Sequence, residues 1–96
     1  SRNLRLNAEQ RQHATVFYRS MMSARELFKR GKDIAFVKQK VWEMIDNEAD
    51  TTLEYFEVAE SKNLNVLEFV NGAEMPIMCI AGYVGEVRLI DNMFLK

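Results

Sequence analysis

Apolar residues recur at helical spacing through the first half of this chain and at strand spacing through the second half, so two kinds of element must share one core. From Ala14 onward, Phe17, Tyr18, Met21, Ala24 and Phe28 fall on one stripe of an α-helix. Asn7 stands at the N-cap of that helix, with Glu9 in its first turn and Gln10 at the capping-box position. Gly31 suits the C-cap, and the basic pair Lys29-Arg30 before it complements the helix dipole. Asp33 can cap a second helix whose stripe is Ile34, Val37, Val41, Met44 and Ile45, fading near Asn47. So short a connection predicts that the two helices pack antiparallel.

Beyond Asn47 the period changes. Leu53-Glu54-Tyr55-Phe56-Glu57-Val58 is rich in aromatic and branched residues and alternates over part of its length, as a strand does. Residues 60 to 74 are polar and irregular, with Leu64, Val66, Leu67 and Phe69 available to tuck inward. Ile77 to Val84 reads as a second strand and Val87 to Phe94 as a third. Gly85-Glu86 between them fits a two-residue turn of type II′, in which glycine supplies the positive φ. The expected fold is α+β: two helices packed on a three-stranded, mostly antiparallel sheet. Residues 1–6 form an extended arm ahead of a single domain at 7–96.

Size agrees with one domain. A chain of 96 residues can bury roughly two-thirds of its unfolded surface, enough for one modest core. Thirteen basic and fourteen acidic residues leave a net charge of -1. That removes any general attraction to nucleic acid, and no aromatic RNA-binding motif is present. No apolar run approaches the ~20 residues of a membrane span; the stretch from Met75 to Val84 is broken by Pro76 and Gly82. The single cysteine, Cys79, cannot form an internal disulfide, which fits a cytoplasmic protein. The start, Ser1-Arg2-Asn3, has neither initiator Met nor signal-peptide pattern, so the chain reads as part of something longer.

One feature departs from a simple two-layer domain. A three-stranded sheet with helices on one face should be polar on the other. In the second strand, however, Met78, Ile80 and Val84 alternate with Ile77, Cys79, Ala81 and Tyr83. The first helix also has a weaker second stripe at Val16, Ser20, Ser23 and Leu27. Both surfaces suggest burial against something outside the chain; the alternative for the sheet is that residues 60 to 74 fold over its open face.

Catalytic constellations are scarce. His13 lies beside the main helical stripe and reads as a partly exposed helix histidine rather than a general base. One histidine and one cysteine far apart cannot make a zinc site. Cys79, mid-strand, reads as a small apolar residue. Asp46, Glu48 and Asp50 lack the glycine of a calcium loop and read as a solvated helix end. Arg25, Lys29, Arg30 and Lys32 complement the dipole at the end of the first helix. No residue is assigned as catalytic and none as a metal ligand.

The arm and the last strand carry more information together than either does alone. Ser1-Arg2-Asn3, followed by Leu6 and Asn7-Ala8-Glu9-Gln10-Arg11, resembles the Ser-Ser-Arg-Asn stretch that opens the C-terminal domain of pantothenate synthetases. Gly85 and Arg88-Leu89-Ile90-Asp91-Asn92 are similar to that family's closing Arg-Leu-Ile-Asp-Asn signature, and Leu53 to Val58 resembles its first C-domain strand. The first serine of the motif is missing, Arg5 replaces the usual tyrosine, and Ala8 stands where proline is common.

The resemblance implies a pantoate–β-alanine ligase. Such an enzyme uses ATP and magnesium to convert pantoate into pantoyl adenylate and pyrophosphate; β-alanine then attacks the acyl carbon, giving pantothenate and AMP. It further implies a Rossmann-like N-terminal domain as partner, a homodimeric full enzyme, and a C-terminal domain acting as a lid. Within that lid, Ser1 and Arg2 would bind the ATP phosphates. On this reading the isolated chain is inactive. A different class of function, a free-standing protein-interaction module, would use the same apolar surfaces. Arg88, Asp91 and Asn92 match a signature, and a salt bridge or turn within the sheet is the default reading for them.

Overall fold

The computed structural model describes residues 6–63, 65–68, 70 and 72–95. Two helices, α1 (Ala8–Lys29) and α2 (Ile34–Asp46), precede three strands, β1 (Thr51–Glu60), β2 (Pro76–Val84) and β3 (Val87–Phe94). The strands form one antiparallel sheet in the order β1-β2-β3. Both helices pack on one face, α2 over β1 and α1 over β2 and β3. The expected architecture is the observed one.

Local chemistry accounts for the helix ends. The Asn7 side chain accepts from the Gln10 N–H at 2.7 Å while Gln10 Oε1 accepts from the Asn7 N–H at 3.2 Å, which completes a capping box. At the other end Gly31 has φ +85°, and the Gly31 and Lys32 N–H groups donate to Phe28 and Leu27 carbonyls at 3.0 and 3.1 Å. This is a Schellman ending, and glycine supplies its left-handed residue without a Cβ penalty. Asp33 then caps α2 by accepting from the Phe36 N–H at 2.8 Å.

The core lies between helices and sheet. Met21, Val37, Ile45, Val58, Met78 and Val84 have no measurable exposure. Two expectations about α1 need correction. Tyr18, placed on the main stripe, is largely exposed, whereas Val16 and Ser20 of the supposed second stripe are buried within this chain. The buried arc of α1 is thus rotated toward Val16, and no outside partner is needed to cover it. Ser20 is tolerated inside because its hydroxyl donates to the Phe17 carbonyl at 2.9 Å.

The partial alternation of β1 has a specific cause. Leu53 pairs with Gly82 and Tyr55 with Ala81, so Glu54 is an extra residue in the ladder. This bulge resets the phase, and Leu53 and Phe56, three apart, both enter the core. After it the alternation is regular, with Phe56 and Val58 inward.

The described residues of the segment after β1 run along the outer edge of β1 rather than over the sheet face away from the helices. Val66 bridges Ala59, and the Leu67 N–H donates to the Val58 carbonyl at 2.8 Å. Leu67 and Val70 pack against the core while Val66 stays exposed; Leu64 and Phe69 lie outside the described residues. On the face of the sheet away from the helices, Tyr83, Ile90 and Phe94 are exposed among the described residues.

Candidate functional site

Ser1 and Arg2, the expected phosphate-binding pair, lie outside the described residues. The place where their arm joins the domain is described. Leu6 is buried in the core, and Asn7 follows as the N-cap of α1, so the arm is anchored at its last residue.

Two further segments meet at this root. The β2–β3 turn brings Gly85 (φ +58°) close enough that a Cβ there would stand 2.8 Å from Gln10 Nε2. The Gly85 N–H donates to the Asp50 carbonyl at 2.9 Å, which ties the turn to the start of β1. Asp50 itself has φ +64°, a left-handed residue that aspartate tolerates better than most. Just before it, Glu48 receives His13 Nδ1 at 2.6 Å and Arg19 Nη2 at 3.1 Å. His13 near the start of α1 thus meets Glu48 past the end of α2, which also establishes that the helices run antiparallel.

The charges at this root reinforce one another. The hydrogen bond to Glu48 raises the His13 pKa above its ordinary value, opposed by partial burial and assisted by Glu9 at 3.6 Å. The same bond, and then Arg19, lowers the Glu48 carboxyl. His13 is partly exposed, as expected, but Glu48 belongs to a specific ion-paired cluster and is more than a solvated helix end. Sequence could not pair residues 35 apart without the helix–helix register.

Elsewhere the described residues offer little chemistry. No group of three His, Cys, Asp or Glu side chains among them comes together to hold a metal ion. Cys79 is half-buried and burial raises its thiol pKa, so it is a poor nucleophile at neutral pH. A shallow groove on α2, lined by Ala35, Lys38, Gln39, Trp42 and Glu43, has neither histidine nor cysteine. No described helix is long and apolar enough to cross a membrane.

Of the closing signature, Arg88 has a clear structural role. Its Nε and Nη2 donate to the two carboxylate oxygens of Glu54 at 2.7 and 3.3 Å, a forked pair that fixes β3 to the bulge of β1 across β2. The Asp91 carboxylate accepts from the Asn92 N–H at 2.8 Å, and both residues are exposed. The default reading of a salt bridge within the sheet holds for Arg88.

A family model described as pantoate-beta-alanine ligase matches residues 1–94. The pantothenate synthetase of Caldicellulosiruptor bescii is 35% identical over 97 residues, covering 100% of this chain and 34% of that protein. The pantothenate synthetase of Akkermansia muciniphila is 35% identical over 95 residues, covering 99% of this chain and 33% of that protein. A crystal structure of pantothenate synthetase from Thermus thermophilus superposes with a TM-score of 0.84 at 28% identity, over 98% of this chain and 33% of that one. The chain spans about a third of the length of the relatives it matches.

Proposed function

The chain belongs to the pantoate–β-alanine ligase family, and from that premise we propose that it is the C-terminal lid domain of a pantothenate synthetase. The observation that carries this reading is a family match over residues 1–94 by a chain that spans only a third of its relatives. The remaining two-thirds would be the Rossmann-like N-terminal domain, which would bind pantoate and β-alanine. The full protein is a cytoplasmic homodimer that condenses those substrates with ATP through pantoyl adenylate, releasing AMP and pyrophosphate.

The contribution of this chain to the chemistry is confined to Ser1 and Arg2. Negative charge builds on the departing pyrophosphate as the adenylate forms. A guanidinium fork and a hydroxyl held against those oxygens stabilise that charge more in the transition state than in the ground state. Delivery of the two donors on a lid also excludes water from an acyl adenylate that water would hydrolyse. The root of the arm suits this task, because buried Leu6 and the Asn7 capping box fix where the arm begins. Magnesium would travel with the triphosphate and be held by that nucleotide and the N-terminal domain; Ser1 and Arg2 are suited to phosphate oxygens rather than to the cation. The isolated chain lacks the substrate sites and is inactive on this reading.

The open sheet face supports a second reading, a free-standing module that binds another protein. One assay separates the two. The product of the full reading frame, given ATP, magnesium, pantoate and β-alanine, should release AMP only when both pantoate and β-alanine are present. A folded full-length product that releases none would remove the ligase reading and leave the module.

A further inference from the structure

The imidazole of His13 stands between two carboxylates, one at each ring nitrogen. Nδ1 is 2.6 Å from Glu48 Oε2, and Nε2 is 3.6 Å from Glu9 Oε1. A neutral imidazole has one N–H and one lone pair, so it can donate to only one of them; the imidazolium can donate to both. Arg19 Nη2 holds the other oxygen of Glu48 at 3.1 Å, which fixes that carboxylate against the ring.

These groups join the parts of the chain that surround the root of the arm. Glu9 is in the first turn of α1 and His13 in its second, just after Leu6 and the Asn7 cap. Glu48 belongs to the loop between α2 and β1, and that loop is itself pinned. The Thr51 hydroxyl lies 2.8 Å from the Ile45 carbonyl oxygen and 2.9 Å from that of Glu48. The Asp50 carbonyl accepts from the Gly85 N–H at 2.9 Å, and the Gly85 turn lies against Gln10, whose side chain closes the capping box on Asn7. The contacts close a ring that runs from His13 through Glu48, Asp50, Gly85 and Gln10 back to α1. The charged groups around His13 are Glu9 and Arg19 from its own helix and Glu48 from the loop; the Asp50 carboxylate faces the Gly85 turn.

We propose that His13 and Glu48 are positioning residues for adenylation, holding the first two turns of α1 in the orientation from which the arm departs; the proposal rests on the C-terminal-domain reading above. They act through the arm rather than on substrate. A displacement of about 1 Å in groups that hold a reacting centre can cost on the order of 10²-fold in rate. The hydrogen bond to Glu48 favours the charged ring, so the clamp is complete in weak acid and loosens as pH rises through the folded pKa of His13.

The test uses the full-length protein with His13→Lys, which keeps a cation at every working pH, and His13→Gln, which never has one. Pyrophosphate release with pantoate alone is measured per folded molecule between about pH 6 and pH 8.5. The ratio of the parent rate to the His13→Lys rate should fall at least about fivefold from the acid to the alkaline end. At about pH 6, His13→Gln should be slower than the parent by that factor, and Glu48→Gln, which keeps the volume of the carboxylate, should match it. A parent-to-lysine ratio that stays flat would overturn the inference, because pH effects of the rest of the enzyme cancel in that ratio. Hydrogen exchange of residues 6–12 is followed on the same preparations at about pH 6. Exchange at least about fivefold faster in His13→Gln than in His13→Lys, with the sheet unchanged, supports the positioning role even in a protein that makes no adenylate. Such a protein would remove the ligase reading alone. Equal exchange overturns the inference whatever the rates.

Discussion

Two glycines in the β2–β3 hairpin have different reasons to be glycine, and only one reason is local. Gly85 has φ +58°, a backbone state that a β-branched side chain resists, and a Cβ there would also press on Gln10 Nε2 at 2.8 Å. Gly85→Val should destabilise the domain by about 1–3 kcal/mol, the scale of a forced left-handed residue. Undiminished thermal stability would show that the turn takes another form. Gly82 needs no special φ, yet a Cβ there would run into the Thr52 carbonyl oxygen and stand 2.5 Å from the Phe17 ring. Gly82→Ala should therefore also cost on the order of 1–3 kcal/mol, as overpacking does. A melting temperature equal to that of the parent chain would mean that both the Phe17 ring and the β1 backbone at Thr52 can give way. Sequence exposes the first glycine because turn chemistry is a property of neighbours in the chain. Nothing in it marks the second, because the ring that fills its place comes from α1, far away in sequence. For the same reason helical spacing assigns Tyr18 to the buried stripe: it gives a period but not the rotation of the helix against its sheet.

Between elements, the His13–Glu48 pair fastens α1 to the loop after α2, and its pH dependence follows from the two shifts. His13 has a folded pKa above its ordinary 6.5, so its stabilisation is fully present below 6.5 and is lost as pH rises through the folded value. Glu48 is shifted below its ordinary 4.5, so its stabilisation is present above 4.5 and is lost as pH falls through the folded value. The tie is strongest between those two ordinary values. The groups facing His13 are Glu9 on its own helix and Glu48 from the loop, with Arg19 on the far oxygen of Glu48. The melting temperature of His13→Gln should therefore fall short of the parent most at about pH 5.5 and approach it by about pH 8.5. A gap that does not change across that range would remove the ion pair as its cause. The elements themselves were legible because each end has its own local signal: the Asn7 box, the Gly31 ending, Asp33 and the Gly85 turn. What joins them was not legible. The bulge at Glu54 left only a broken alternation in Leu53 to Val58, and the path of residues 60 to 74 along the edge of β1 depends on a ladder the chain completes only when folded.

At the scale of the whole molecule, Tyr83, Ile90 and Phe94 on the sheet face away from the helices stay exposed among the described residues, and the arm carries donors suited to phosphate oxygens. The chain spans about a third of its relatives' length, and the proposed role of the arm needs the rest. The role proposed for the arm rests on the resemblance alone, because a serine and an arginine before a helix are unremarkable by spacing, and Ser1 and Arg2 lie outside the described residues. Kinetics of the full-length protein test it directly. Losing one preorganised donor to a developing anion costs about 10²-fold or more in rate, so Arg2→Ala should lower adenylate formation by that factor. The loss should fall on the ATP-dependent half-reaction, measured as pyrophosphate release with pantoate alone. Attack of β-alanine on adenylate already formed should change far less, since the pyrophosphate has departed by then. Arg88→Ala provides the contrast. Its guanidinium is bound to Glu54 within the sheet, so the substitution should lower the melting temperature and leave adenylation per folded molecule near the parent rate. Adenylation unchanged in Arg2→Ala would take the arm out of the phosphate site. Adenylation lost in a stably folded Arg88→Ala would place the closing signature in the site instead.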